Sequence, residues 1–316
     1  MKGGLRVLLC IGCVLFFSLY LLEAHIQDIC NQYRAGSFVW TWIDRHIPGS
    51  RPPPPPYIGI PGDKVIVMAK LEEEYTNWVE EELPDWQRAI YIVNPTAETR
   101  MNDSILTTPM NKGHEAMAYL SYVIDHYDIL PSTIAFLHAH RSGFFMAWHV
   151  DAPLHDNVIA MRNLQIPFVQ QNGYVNLRCN WNPGCKADHR INGHVTEEIW
   201  YDMFEGTSTP PLNMSSSDEI EEPGKRYARK PMYIAAACCA QFAVSKEQVR
   251  MRPKEDYLKI RQWLIDTELS DAKSGRVMEY LWHIIFGADS VYCPDQLLCY
   301  CQVYGQCGET DDFSYL

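Results

Sequence analysis

The sequence predicts an α/β fold, with a single, mostly parallel central sheet flanked by helices and a disulfide-rich C-terminal tail. Three observations carry that prediction. Apolar runs of strand length recur at 64–69, 89–94 and 132–140, and a fourth such region spans 231–245. Between them lie segments of ten or more residues with apolar positions three and four apart, as in helices that cover a sheet. Strands joined through helices of that length form crossover units, which lay the strands parallel. The composition agrees: 316 residues at 47% hydrophobic and 21% charged are enough for a large buried core.

The chain opens with "MKGGLRVLLCIGCVLFFSLYLLEA", in which Lys2 and Arg6 precede an apolar run from Val7 to Leu22. Positive charge on the amino side predicts a signal anchor over residues 1–22, with the N-terminus in the cytosol and the remainder translocated. That makes a type II protein of the endoplasmic reticulum or Golgi membrane. The competing reading is a cleaved leader and a secreted protein, although Leu22-Glu23-Ala24 is a poor cleavage site. Residues 23–62 read as a proline-rich stem, because "RPPPPP" at 51–56 is a stiff, extended spacer.

Residues 63–307 read as the lumenal α/β domain, and 308–316 as a tail. "KVIVMA" is the first strand, "NWVEEELPDW" a helix and turn, and "AIYIVN" the second strand. "NKGHEAMAYLSYVIDHYD" is a helix with Asn111 as its N-cap and Ala116, Leu120, Val123 and Tyr127 on one face. "STIAFLHAH" is the third strand, "NVIAMRNLQI" and "HVTEEIWYDMFE" are helices, and "PMYIAAACCAQFAVS" is a strand region. "KEDYLKIRQWLID" and "SGRVMEYLWHIIFG" close the domain as helices, the second with Ser274 as its N-cap and Gly287 at its stop.

Nine cysteines follow the apolar segment. Cys179 and Cys185 flank "NWNPG", a loop short enough to close into a disulfide, and Cys293, Cys299, Cys301 and Cys307 crowd the tail. In an oxidising lumen such clusters staple a segment too short for its own core; a zinc knuckle is the alternative. The odd number leaves one free thiol, expected at Cys238 or Cys239. Asn102 and Asn213 begin acceptor motifs for N-glycosylation.

A net charge of −12 disfavours nucleic acid as a partner. The phosphate-binding and nucleophile motifs GxGxxG, GxxxxGK[ST] and GxSxG are absent, as is the zinc motif HExxH. What remains is a set of polar residues in apolar surroundings. His138 and His140 end the third strand on one face, where α/β sheets bind ligands, and His149 and Asp151 follow on a loop. They read as strand-end histidines, as substrate contacts or as metal ligands. In "SGRVMEYLWHIIFG", Arg276, Glu279 and His283 share one face of an otherwise apolar helix. That stripe is either an internal ion-pair network or a pocket-facing carboxylate with a histidine beside it, suited to general base work. Gln241, between apolar neighbours, reads as a specific hydrogen bonder, and Arg178, beside the cysteine loop, as a rigid anion-binding guanidinium.

Many of these stretches together resemble one family. "KGHEAMAYLSYVIDHYDILPSTIAFLHAHR", Trp148-His149, "GYVNLRCNWNPGC", "CCAQFAVSKEQVRMRPKEDYLKIRQWL", "SGRVMEYLWHIIFG" and the terminal Cys-Tyr-Cys identify the chain, over about 65–307, as similar to the domain-of-unknown-function 3431 family, rich in fungal members. The loop after His149 departs from relatives, keeping only Asp151 where they carry a polar, acidic run. The family is in turn similar to nucleotide-sugar glycosyltransferases of the A-type fold. That likeness implies a membrane-anchored lumenal enzyme moving a sugar from a nucleotide sugar to a hydroxyl acceptor. It implies Glu279 as the base, with His283 and Arg276 tuning it, and substrate contacts from His138, His140, Arg141, His149, Asp151, Arg178, Gln241 and Arg276. His138-Ala139-His140 would stand where such enzymes hold manganese with acidic residues. A non-catalytic binding or scaffold domain and a histidine-metal hydrolase are the alternatives.

Overall fold

The computed structural model describes residues 2–47, 62–187, 193–207, 219–222, 225–228 and 230–307. The polyproline run at 51–56, the acceptor motif at Asn213 and the tail at 308–316 lie outside the described residues. In chain order the helices are α1 (Lys2–Gln32), α2 (Ala35–His46), α3 (Trp78–Glu82), α4 (Ala97–Arg100), α5 (Ala116–Asp125), α6 (Asn157–Asn163), α7 (Ile166–Asn172) and α8 (Glu197–Phe204). They continue as α9 (Lys246–Arg250), α10 (Lys254–Asp266), α11 (Asp271–Glu279), α12 (Trp282–Ile285) and α13 (Gln296–Tyr304). The strands are β1 (Lys64–Lys70), β2 (Gln87–Ile92), β3 (Thr133–His138), β4 (Tyr174–Asn176), β5 (Glu219–Glu222), β6 (Lys225–Ala228), β7 (Ala235–Ala236), β8 (Phe242–Ser245) and β9 (Val291–Tyr292).

The central sheet has the order β2-β1-β3-β8-β4. The first three strands run parallel, with Val67 opposite both Ala89 and Phe136. β8 runs antiparallel to β3 and to β4, pairing Phe136 with Phe242 and Val175 with Ala243. The expectation of a single, mostly parallel sheet of the A-type glycosyltransferase kind is therefore corrected: the sheet is mixed, and a second, small parallel sheet pairs β7 with β9. The cause lies in the 231–245 run, which breaks in two. Ala240 takes a left-handed backbone (φ 57°) and turns the chain, so β7 and β8 enter different sheets. Apolar runs report burial and are silent about strand direction.

Alternate residues of the central strands face two cores. Val65, Val67, Ile134, Phe136, Phe242 and Val244 pack under α5, α10, α11 and α12, among Tyr119, Trp282 and Phe286. Ile66, Met68, Ala135, Leu137, Val175 and Ala243 pack on the opposite side, among Trp78, Met161 and Val303. Burial on both faces explains why "KVIVMA" and "STIAFL" are continuously apolar.

Two helices differ from their predicted bounds for local reasons. α5 starts at Ala116, not beyond an Asn111 cap, because Gly113 (φ 74°) and His114 (φ 51°) form a left-handed turn first. A side chain at Gly113 would meet Leu264 at 2.6 Å, so only glycine fits. The predicted 274–287 helix is two helices that part at Tyr280–Leu281, and α11 begins four residues early, with Ser270 at its N-cap. Ser274 is buried inside α11, donating to the carbonyls of Ser270 and Asp271.

The disulfides join Cys179 to Cys299, Cys185 to Cys293, Cys238 to Cys239, and Cys301 to Cys307. The Cys179–Cys185 loop is thus tied across to the tail and not closed on itself, and Cys238 and Cys239 bond each other. Beyond the apolar segment the free thiol is Cys30.

α1 carries a stretch, Ile11–Gln32, long and apolar enough to cross a membrane, and its residues from Ile11 to Gln27 are exposed. The segment expected as stem is helical through His46 and touches the domain. Asn182 and Asn180 donate to the carbonyls of Asp28 and Asn31, and Arg178 to that of Gln32.

Candidate functional site

A cleft of about 630 Å³ opens at the carboxyl ends of β1 and β3. Its floor is Ala69–Lys70 and His138–His140, and α11 forms one wall through Gly275, Arg276 and Glu279. The opposite wall holds Trp148 and His149, and the turn before α5 contributes His114 and Glu115. α11 comes this close because Gly275 has no side chain: a Cβ there would lie 2.3 Å from the His114 ring.

His138 is the last residue of β3. Gln241, on the incoming edge of β8, accepts a hydrogen bond from its backbone N–H at 3.0 Å and fixes the strand end. The His138 and His149 rings stand 4.3 Å apart, and neither Nε2 has a hydrogen-bond partner among the described residues. Burial, then the neighbouring His140 and His114, holds His138 at about 4; burial, then His138 and Arg178, holds His149 well below its usual range. Both rings are therefore neutral at physiological pH, with a lone pair available. The Nε2 atom of His140 lies 3.6 Å from a Glu74 oxygen.

Two carboxyls, Glu115 and Glu279, line the cleft with these rings. Glu115, 3.9 Å from His138, is pushed up to about 8 by burial, with Glu279 and Asp271 adding repulsion. Glu279 is also raised by burial, against the pull of Arg276, which donates to it at 2.5 Å. Elevated carboxyls in a cleft are the groups that exchange protons with a bound ligand.

Of the residues singled out from sequence, the fold brings His138, His140, His149, Arg276 and Glu279 into the cleft. It holds the others elsewhere. Arg141 is engaged by Glu82 at 2.5 and 2.8 Å and by Asp156 at 2.9 Å. Asp151 is buried and accepts from the backbone of Cys179 and Asn180 and from Tyr300. Arg178 is equally buried, donating to the carbonyls of Trp148, Gln32 and Asn182. Because the helix breaks, His283 leaves the Arg276–Glu279 face; it is buried and donates to the Ser290 carbonyl at 3.1 Å. Gln241 acts on His138 through the strand, outside the cleft lining.

Glu115, Glu74, Lys70 and Asp271 are cleft residues that sequence reasoning did not select. Glu115 had a signal: a carboxylate directly before a helix that is buried from Ala116 to Ile124.

The metal-type donors that cluster are not the strand-end histidines. Among the described residues, the one set of three metal-type donors within 4.8 Å of one another is Cys238, Cys239 and Glu279. That set could hold a metal ion, but two of its sulfurs are bonded to each other, and manganese favours oxygen. The His138 and His140 rings each face a different carboxylate instead.

The family described as "Protein of unknown function (DUF3431)" matches residues 66–302, three quarters of the chain. The protein belongs to the DUF3431 family. In this DUF3431 member the matched region runs from β1 to α13 and contains the whole cleft apart from Gln32. No curated protein matches the chain, and no solved structure does.

Proposed function

We propose that the cleft transfers a sugar from a nucleotide sugar to a hydroxyl acceptor, on the lumenal side of a secretory-pathway membrane to which α1 anchors the domain. The observation that carries this reading is the carboxyl pair Glu115 and Glu279, both raised, in a cleft of about 630 Å³ at a strand end. With a pKa of about 8, Glu115 keeps its proton at neutral pH and can donate a hydrogen bond to a sugar oxygen. Glu279, held by Arg276, is the base. The acceptor hydroxyl gives its proton to Glu279 as its oxygen bonds the anomeric carbon, and the bond from that carbon to the diphosphate oxygen breaks. The departing diphosphate meets the cleft cations Lys70 and Arg276. Lumenal placement draws support from the disulfides, from Lys2 and Arg6 ahead of the apolar run, and from the exposed acceptor motif at Asn102.

The test is the full chain in detergent, with uridine and guanosine diphosphate sugars. The expected result is a higher Tm and release of nucleoside diphosphate. Glu279→Gln should keep the Tm shift and lower turnover about 10²–10⁴-fold. A Tm shift without release would make the cleft a binding site only, and no shift with any donor would overturn the reading.

A further inference from the structure

The corner between α1 and α2 carries apolar surface that the domain leaves uncovered. On α2, Gly36, Val39, Trp40 and Ile43 follow helical spacing along one face, and Ile47 caps the helix in an extended conformation. Trp40 is 64% exposed, and Val39, Trp42 and Ile47 are each at least half exposed. The adjoining side of α2 is docked: Phe38 packs edge-on against Phe144 at 5.1 Å and against His155 at 5.1 Å. One residue past Phe144, on the same loop, Phe145 is 79% and Met146 56% exposed. A soluble surface rarely gathers this many large apolar groups without a partner.

Continuity with the apolar stretch of α1 names the partner. The exposed apolar residues of α1 run from Ile11 to Ile29 without a gap longer than one turn. Domain contacts begin at Asp28, six residues past Leu22, or about 9 Å along the helix axis at 1.5 Å per residue. That distance is only slightly more than one headgroup layer of about 5–8 Å. The chain then turns at Arg34, whose backbone is left-handed, into α2. A bilayer crossed by α1 therefore meets the domain with no spacer between them, and tryptophan is the side chain favoured at that depth.

We propose that the outer face of α2 and the tip of the Gly143–Trp148 loop lie in the lipid interface, so that the cleft opens beside the membrane surface. The occupant of this surface is the bilayer itself. Gln32, at the end of α1, and Trp148 and His149, on the loop that carries Phe145, all line the cleft. Contact with lipid at the loop tip and access to the cleft thus share one short segment.

The experiment is the full chain in phosphatidylcholine nanodiscs, made with or without lipids brominated near the acyl carbonyl, read by tryptophan emission. The chain has nine tryptophans. The expected result is partial quenching of the native protein by brominated lipid, reduced at least twofold in Trp40→Phe/Trp42→Phe. Adding Met146→Trp to that double variant should restore quenching. Tm of each variant checks folding, and Trp→Phe changes at exposed positions should leave it unchanged. Equal quenching in the native and double-variant proteins, or none at all, overturns the proposal. So does protection of Trp40 and Trp42 from aqueous iodide that develops only when two chains share a disc, because that assigns the surface to a second copy.

Discussion

His138 and His149 face each other across 4.3 Å in the cleft, and both Nε2 atoms are buried with no hydrogen-bond partner among the described residues. Their folded-state pKa values lie far below the 6.5 of a free imidazole, as do those of His155 and His283 at about 4. The unfolded chain takes up protons below 6.5 while the folded chain does not, so stability is full above that pH and falls as pH drops toward 4. His283 alone would account for roughly 3 kcal/mol at 1.36 kcal/mol per unit. Urea titrations at pH 7, 5.5 and 4.5 should show a steep loss of unfolding free energy, with a shallower slope in His283→Gln.

Glu115 acts on the opposite side of neutrality. Its pKa rises from 4.5 to about 8 on folding, so the folded chain holds a proton that the unfolded chain releases above 4.5. The contribution is complete below 4.5 and is lost as pH climbs through 8, on the order of 5 kcal/mol. Glu115→Gln should abolish this slope between pH 5 and 8.5 and raise Tm at pH 8.5. Thermal melts across that range measure it directly.

Asp151 separates a structural role from a substrate-binding one. Burial alone would raise its pKa, but Arg178 and Arg34, with two backbone N–H groups, hold the carboxyl below its usual range. Arg178 lies 3.7 Å away and is fully buried. Asp151→Asn leaves that guanidinium without a counter-charge in the interior, which should cost about 3–5 kcal/mol. The expected result is a large drop in Tm with no change in ligand affinity for whatever protein remains folded. A lost affinity at unchanged Tm would place Asp151 in the cleft instead.

The same residue shows where sequence pattern stops being informative. β1 and β3 were readable because a strand buried on both faces must be apolar throughout, and His138 was readable because it ends such a run. β4 is three residues long, Tyr174–Asn176, too short for any periodicity. The direction of β8 depends on the turn at Ala240, whose positive φ is unusual for alanine and leaves no mark in the sequence. The charge stripe on 274–287 placed Arg276 and Glu279 well, because they fall within one helix, and failed for His283 because the helix breaks between them. Asp151 and Arg178 are polar residues whose partners lie far away in sequence, and spacing cannot show such pairs.

The disulfides give a further test, since their worth scales with the loop each closes. Cys179–Cys299 spans 120 residues, whereas Cys301–Cys307 spans six. By the chain-entropy argument the first restricts the unfolded state by about 5 kcal/mol and the second by about 2 kcal/mol. The long bridge also ties the segment that cradles Asp151 to α13, whose Tyr300 donates to the same carboxylate. Cys179→Ala/Cys299→Ala should therefore lower Tm more than Cys301→Ala/Cys307→Ala does. Measured by thermal melts without reductant, equal losses from the two pairs would show that α13 is held by packing and the Asp151 hydrogen bonds, with the long bridge adding little.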